Sequence, residues 1–342
     1  MLLIGQAGFE KLLAGEVTAG GGVVRRQGPG WVLAEQVPAE VAFAHVTVTG
    51  GVELAGDKVN ALAQQIADYF MQSLQGERIE APWPCVFAGP AEMVGLGRRI
   101  GAVEEAFLAL LKKRFSRVAK LATPDLPRGV AATRGLLVWF TDFGRVLVAR
   151  ELATNGQRRM ADDDLAPSRS YLKVEEAYIV LGREPVAGET VVDLGAAPGG
   201  WSYSAAKRGA HVIAVDNGPL KGGALNHPRI EHRMEDAFNF QPSFAKASEG
   251  TTHAGMGCDW LFCDMVEEPH HVLKHIVEPW LSRGWCRRFV VNLKFGRVDP
   301  IALLRELRAP DSVLQRHAPG VCIRHLYHDR EEFTLAGEVT VR

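Results

Sequence analysis

The chain is predicted to be an α/β protein whose C-terminal half is a doubly wound, mostly parallel sheet, preceded by small α+β domains. Three observations predict it. Short apolar runs at 190–194, 211–215, 260–263 and 289–293 alternate with helix-length segments at about 170–181, 200–208, 270–283 and 300–308, the β-α-β succession of a parallel sheet. The run Val191-Val192-Asp193-Leu194-Gly195-Ala196-Ala197-Pro198-Gly199-Gly200-Trp201 reads as a buried strand passing through a glycine-rich turn into a helix. Finally, 342 residues are long for one domain, and strands and helices are mixed differently ahead of residue 155.

Taken in order, the first 70 residues combine short strands, Gly22-Val23-Val24 and Trp31-Val32-Leu33-Ala34, with helical patterns over 8–14 and 59–70. Prolines at 82, 84 and 90 break the chain and open a second unit. That unit holds a long helix over about 97–120 and strands at Leu136–Phe140 and Arg145–Ala149. From Glu151 to Pro167 the pattern turns polar, which places a boundary near 155; the expected segments are 1–70, 71–155 and 156–342. The stretch from Gln241 to Gly257, rich in Ser, Ala, Gly and Thr, predicts a surface loop.

Composition sets outer limits. A 47% hydrophobic and 23% charged chain is an ordinary globular one, and no run of about 18 apolar residues predicts a membrane span. Met1-Leu2-Leu3-Ile4-Gly5 lacks a charged leader segment, so no signal peptide is expected. Five scattered cysteines without a C-x-x-C pair argue against a disulfide framework and a zinc site, and a cytoplasmic protein is expected. No long apolar seam demands a partner subunit, so a monomer is expected. Within a net charge of −1, residues 98–120 gather Arg98, Arg99, Lys112, Lys113, Arg114, Arg117 and Lys120 against Glu104 and Glu105. This stripe is either a solvated helix face or a phosphate-binding surface.

The chemistry concentrates at strand ends, where doubly wound sheets bind ligands. The glycine loop, with Ala197, Pro198, Gly199 and Gly200, lets a ligand approach backbone closely, and its spacing is not that of the dinucleotide fingerprint. Asp216, 23 residues after Asp193, closes the second strand and can accept hydrogen bonds from both ribose hydroxyls of a nucleoside. Asp236 follows a short third strand over 229–233 and can reach the amine of an adenine. Together these describe a nucleoside cofactor without a pyrophosphate: S-adenosyl-L-methionine fits and a nicotinamide dinucleotide fits poorly. Asp264 and Lys294 end the next two strands, and Lys173 precedes the sheet. A lysine at the end of an apolar strand is costly to desolvate, so Lys294 is expected to have a lowered pKa and to serve as a neutral general base. The C-terminal run His328-Asp329-Arg330-Glu331-Glu332-Phe333 supplies acids at the start of a last strand.

Asp193-Leu194-Gly195-Ala196-Ala197-Pro198-Gly199-Gly200-Trp201 resembles motif I of the FtsJ-type ribose 2′-O-methyltransferases, and Lys173, Asp264, Lys294 and a C-terminal glutamate resemble that family's Lys-Asp-Lys-Glu tetrad. Ser168-Arg169-Ser170, Cys263-Asp264-Met265-Val266-Glu267, Asn292-Leu293-Lys294 and Leu326-Tyr327-His328-Asp329-Arg330-Glu331-Glu332 are similar to the branch that acts on large-subunit ribosomal RNA. The similarity is dense over about 165–336 and thinner before it. One departure is Phe295-Gly296, where the family pattern leads one to expect an apolar-proline pair.

The resemblance implies a Rossmann-like methyltransferase domain over 156–342, behind a ferredoxin-like region (1–70) and a THUMP RNA-binding domain (71–155). It implies S-adenosyl-L-methionine as cofactor, with Ser170, Ala197, Pro198, Gly199, Gly200, Asp216, Asp236 and Asp264 around it. It implies 23S ribosomal RNA, or an early large-subunit precursor, as partner, and a single cytidine (position 2498 in common ribosomal numbering) as target. Lys294 is then the base, Lys173 lowers its pKa, and Asp264 orients it. Alignment on Phe333 selects Glu331 as the fourth member; a shift of one residue selects Glu332. Glu331 is the expectation. Alternatives are action on another RNA, a non-catalytic RNA-binding assembly factor, or a nicotinamide-dependent oxidoreductase. A cytosine C5 enzyme is disfavoured because the one Pro-Cys, Pro84-Cys85, lies far from the cofactor half.

Overall fold

A computed structural model describes residues 1–242 and 257–340. The surface loop predicted over 241–257 lies, apart from its ends, outside the described residues. The chain divides into two compact units, Met1–Gly156 and Gln157–Arg342.

The first unit carries β1 (Leu2–Ile4), α1 (Glu10–Ala19), β2 (Val23–Gly28), β3 (Trp31–Glu35), β4 (Val46–Thr49), β5 (Val52–Ala55), α2 (Val59–Leu74), β6 (Trp83–Ala88), α3 (Leu96–Arg114), α4 (Ser116–Leu121), β7 (Ala122–Thr123), β8 (Val130–Phe140) and β9 (Arg145–Asn155). One sheet of order β2-β3-β1-β4-β9-β8-β6-β7, with β5 also on β9, runs through both predicted N-terminal segments. The alternation along β8 explains its place. Leu136, Val138 and Phe140 enter the core made with α2 and α3, while Leu137 and Trp139 join Leu2, Trp31 and Val48 on the other face. The first part of the polar run expected over 151–167, as far as Asn155, is instead the end of β9, because both β4 and β8 satisfy its backbone groups there.

The long basic helix predicted over 97–120 is two helices, broken at Phe115 (φ −139°, ψ 66°). Leu96, Val103, Phe107 and Leu111 form the buried stripe of α3, leaving Lys112, Lys113 and Arg114 exposed in its last turn, where cations suit the helix dipole. Arg99 differs from its neighbours: its guanidinium donates to the carbonyls of Gly56 and Asp57 at 2.7 and 2.9 Å.

The second unit carries α5 (Tyr171–Leu181), β10 (Thr190–Leu194), α6 (Gly200–Ala206), β11 (His211–Val215), β12 (Ile230–Arg233), β13 (Cys258–Cys263), α7 (Pro269–Val272), a π-helical stretch (Leu273–Val277), α8 (Glu278–Ser282), β14 (Cys286–Lys294), α9 (Pro300–Arg308), α10 (Val313–His317), β15 (Cys322–Arg324) and β16 (Glu332–Glu338). The sheet order is β12-β11-β10-β13-β14-β16-β15. All pairs are parallel except those made by β16, which lies antiparallel between β14 and β15. Strand order reverses between β10 and β13, so the crevice at their carboxyl ends is the place for a ligand. Val191, Val212, Trp260, Phe262 and Val290 pack with Val174, Tyr178 and Trp201 in the core that fixes α5 and α6 against the sheet. Among the described residues no helix is long and apolar enough to cross a membrane.

Candidate active site

The glycine loop is shaped by what surrounds it. Gly195 sits at φ +74°, and a Cβ there would lie 2.3 Å from Met265 Cγ. Gly199 caps α6 at φ +104°, with no room for a Cβ beside that of Ala224 (2.5 Å). The Ala197–Pro198 peptide between them is cis. Below the loop, Asp193 is buried and accepts a hydrogen bond from Ser202 Oγ at 2.6 Å; burial pushes its pKa up to about 7. Ser170 supports the loop from behind: its carbonyl accepts from Trp201 Nε1 at 2.9 Å, and its hydroxyl lies where a Cβ on Gly200 would be crowded.

Above the loop a cleft of about 300 Å³ opens at the ends of β10, β11 and β13, lined by Gly195, Ala197, Asp216, Asn217, Glu235, Asp236, Ala237, Phe238, Asp264, Met265 and Val266. Of the predicted cofactor residues, Ala197, Asp216, Asp236 and Asp264 meet here. Ser170, Pro198, Gly199 and Gly200 do not line it; Pro198, Gly199 and Gly200 build the loop beneath the cleft, and Ser170 backs that loop. Asp216 ties two turns together, accepting from Ala197 N at 3.0 Å and Gly218 N at 2.6 Å. Asp236 similarly holds its own turn, accepting from Phe238 N at 3.0 Å and Asn239 Nδ2 at 2.8 Å. Among the described residues, four carboxylates and no lysine or arginine line the cleft. That donor set repels a pyrophosphate and suits a nucleoside carrying positive charge, so the residues fit S-adenosylmethionine. Glu235 and Phe238 line the cleft with no signal of their own in the sequence, while Met265 and Val266 belong to the run 263–267 whose resemblance is noted above but carry no expected role in it.

Beside this cleft four charged groups converge. Lys173 comes from the first turn of α5, Asp264 follows β13, Lys294 ends β14 and Glu332 begins β16. Lys173 Nζ lies 2.6 Å from Glu332 Oε1 and 3.4 Å from Asp264 Oδ2, while Lys294 Nζ contacts both Asp264 and Glu332 closely. The expected fourth member, Glu331, is therefore replaced by Glu332. The cause is register: Lys294 and Glu332 are direct cross-strand partners on β14 and β16, so their side chains share a face, and a one-residue step turns the other way. Glu331 is exposed, with its carboxylate beside Gly296.

The electrostatics also correct an expectation. Burial draws the Lys294 pKa down, but the carboxylates of Asp264 and Glu332 outweigh it and the net direction is up, so the free protein holds this lysine charged. Burial likewise opposes ionisation of Glu332, and the charges of Lys173 and Lys294 overcome it, keeping Glu332 below the usual glutamate range. Two cations and two anions balance.

Glu176, one turn along α5 from Lys173, is fully buried and accepts from the backbone N–H groups of Tyr327 (2.7 Å), Arg158 (3.0 Å) and His328 (3.1 Å). It anchors the loop that delivers Glu332, and burial pushes its pKa up to about 8. Among the described residues no group of three or more His, Cys, Asp or Glu could hold a metal ion.

Comparison with known proteins agrees with this geometry. Residues 166–298 match the model of the FtsJ-like methyltransferase family. Proteins named ribosomal RNA large subunit methyltransferase M are similar to this chain in Marinomonas sp. (38% identical over 193 residues, 53% of this chain and 50% of the relative), Laribacter hongkongensis (34% over 270 residues, 74% and 68%) and Alkalilimnicola ehrlichii (33% over 295 residues, 82% and 72%). The chain thus spans half of the first relative's length and about seven-tenths of the other two. With an acidic nucleoside-sized cleft, a buried lysine-carboxylate cluster at its edge and this degree of identity, the chain belongs to the ribosomal RNA large subunit methyltransferase M family.

Proposed function

We propose that this chain transfers a methyl group from S-adenosyl-L-methionine to a ribose 2′-hydroxyl of large-subunit ribosomal RNA, the target being a single cytidine of 23S ribosomal RNA. The observation that carries this reading is the convergence of Lys173, Asp264, Lys294 and Glu332 beside the cleft. A ribose hydroxyl is a weak acid, and it needs a proton acceptor and nearby positive charge. When bound, S-adenosyl-L-methionine supplies a methyl group on a sulfonium, an electrophile that needs no further activation. Asp216 and Asp236 are placed to take the hydroxyls and the base amine of the nucleoside.

Lys294 Nζ is the acceptor of the hydroxyl proton in the working complex. Because the free protein holds Lys294 charged, that complex must first release its proton, which further positive charge beside Asp264 favours. Lys173 stabilises the developing alkoxide, and Glu332 holds both ammonium groups in place. Much of the rate then comes from positioning. We read residues 1–70 as ferredoxin-like and 71–155 as a THUMP-like RNA-binding segment, with the exposed Lys112-Lys113-Arg114 face meeting phosphates. The protein acts as a cytoplasmic monomer on free 23S ribosomal RNA or an early large-subunit precursor. Mapping 2′-O-methylation along 23S ribosomal RNA from cells with and without this protein tests the reading. One ribose methyl that depends on it is expected; a methyl on a base, or no difference, overturns the reading.

A further inference from the structure

Behind the four charged groups lies a second row of polar side chains that the proposed chemistry does not use. Asn292 and Thr334 are cross-strand partners two residues along from Lys294 and Glu332, and so share their face of the sheet. Thr334 Oγ1 lies 2.7 Å from Asn292 Oδ1, and 3.0 and 3.3 Å from Oδ2 and Oδ1 of Asp329. Asn292 Nδ2 lies 3.1 Å from Asp264 Oδ1, and Asp329 Oδ2 accepts from Leu326 N at 2.8 Å. Asn292, Thr334 and Asp329 are all buried, at 0%, 2% and 2% exposure.

Counting protons along this row leaves one arrangement. Asp264, facing two ammonium groups, is an acceptor, so Asn292 must turn its NH₂ toward it and its Oδ1 toward Thr334. The single hydroxyl proton of Thr334 is then committed to Asn292 Oδ1. An ionised Asp329 would leave Thr334 Oγ1 and Asp329 Oδ2 as two acceptors in contact with no proton between the groups, a costly state at full burial. A proton on Asp329 Oδ1, 3.3 Å from Thr334 Oγ1, supplies the missing donor between the two groups, while Oδ2 already accepts from Leu326 N–H. The surroundings of Asp329 agree: the carboxyl groups of Glu332 and Glu176 raise its pKa and the Lys173 ammonium lowers it. Burial first, and Glu332 second, raise its pKa well above the usual carboxylate range.

We propose that Asp329 is a neutral carboxylic acid in the working protein and a positioning residue. Its O–H donates to Thr334, Thr334 donates to Asn292, and Asn292 donates to Asp264, which is thereby aligned between the two lysines. The consequence for rate rests on the methyl-transfer reading above; the protonation state does not.

Two measurements test this. The infrared difference spectrum of the full chain, wild type minus Asp329→Asn at pH 7, should contain a buried carboxylic-acid band, the contributions of Glu176 and Asp193 cancelling between the two proteins. The asparagine can still donate through its NH₂, so Asp329→Asn should keep kcat for ribosomal RNA methylation within about threefold, with an unaltered pH profile. Asp329→Ala and Thr334→Val, which cut the chain of donors, should each lower kcat roughly tenfold with KM for RNA unchanged, and Thr334→Ser should restore it. Absence of the band, or Asp329→Asn falling as far as Asp329→Ala, overturns the proposal, the latter by showing that a negative charge is needed. If wild-type protein carries the band but does not methylate ribosomal RNA, the functional reading fails while the protonation state stands.

Discussion

Replacing Glu332 by glutamine separates the two candidate glutamates. The side chain is 4% exposed and touches both lysines, so Glu332→Gln leaves two ammonium groups sharing Asp264 alone. Breaking a buried ion pair from one side costs about 3–5 kcal/mol. Lys173 and Lys294 are 13% and 22% exposed and keep Asp264, which points to the lower end, about 3 kcal/mol. Glu331→Gln, at an exposed position, should change stability by no more than about 0.5 kcal/mol. Hydrogen exchange of the β13 and β14 amides in the full chain reads the difference within the second unit. The lysines hold the folded-state pKa of Glu332 below its ordinary value of 4.5, so its contribution is present above that pH and is lost as pH falls through the folded value. The gap between wild type and Glu332→Gln should therefore close in acid. In single-turnover methylation of unmodified 23S ribosomal RNA, Glu332→Gln should slow transfer by at least about a hundredfold, the scale of a misplaced reacting group, and Glu331→Gln by less than about threefold. An inactive Glu331→Gln beside an active Glu332→Gln would refute the register argument.

Further expectations concern the other parts of the site. Lys294→Ala should slow methyl transfer by about 10²–10⁴ while cofactor and RNA still bind, and Lys294→Arg should give no rescue because guanidinium keeps its proton; a wild-type rate for the arginine variant would remove Lys294 as proton acceptor. Since Lys294 is charged in the free protein and must shed a proton, the wild-type rate should rise between pH 7 and 9, and a falling rate there contradicts the assignment. Asp216→Ala should weaken S-adenosylmethionine binding by about 1.5–3 kcal/mol in calorimetry, through lost bonds to the ligand and a loosened Ala197 turn. Neutralising Lys112, Lys113 and Arg114 together should weaken RNA binding and flatten its salt dependence with cofactor affinity intact; unchanged RNA affinity would make this face merely solvated.

Periodicity and punctuation in the sequence determine most of the second unit. Buried parallel strands need continuous apolar runs, and four of them, with the glycine turn at 195–200, are legible as such. The strand-end positions of Asp216, Asp264 and Lys294 follow from that pattern alone. The N-terminal half is less legible because its short strands β1, β4 and β5 are specified by partners far along the chain, above all β9. Only the tertiary structure decided among adjacent acids. Glu331 and Glu332 are equivalent in composition, and the antiparallel register of β16 on β14 turns one toward the lysines and the other to solvent. The charge state of Lys294 likewise depends on two carboxylates brought from β13 and β16, which no local reading around residue 294 contains. The row from Asp329 through Thr334 and Asn292 to Asp264 is of the same kind. A sequence lists donors and acceptors, but how many protons a buried network holds depends on distances set by strands that meet only in the folded sheet.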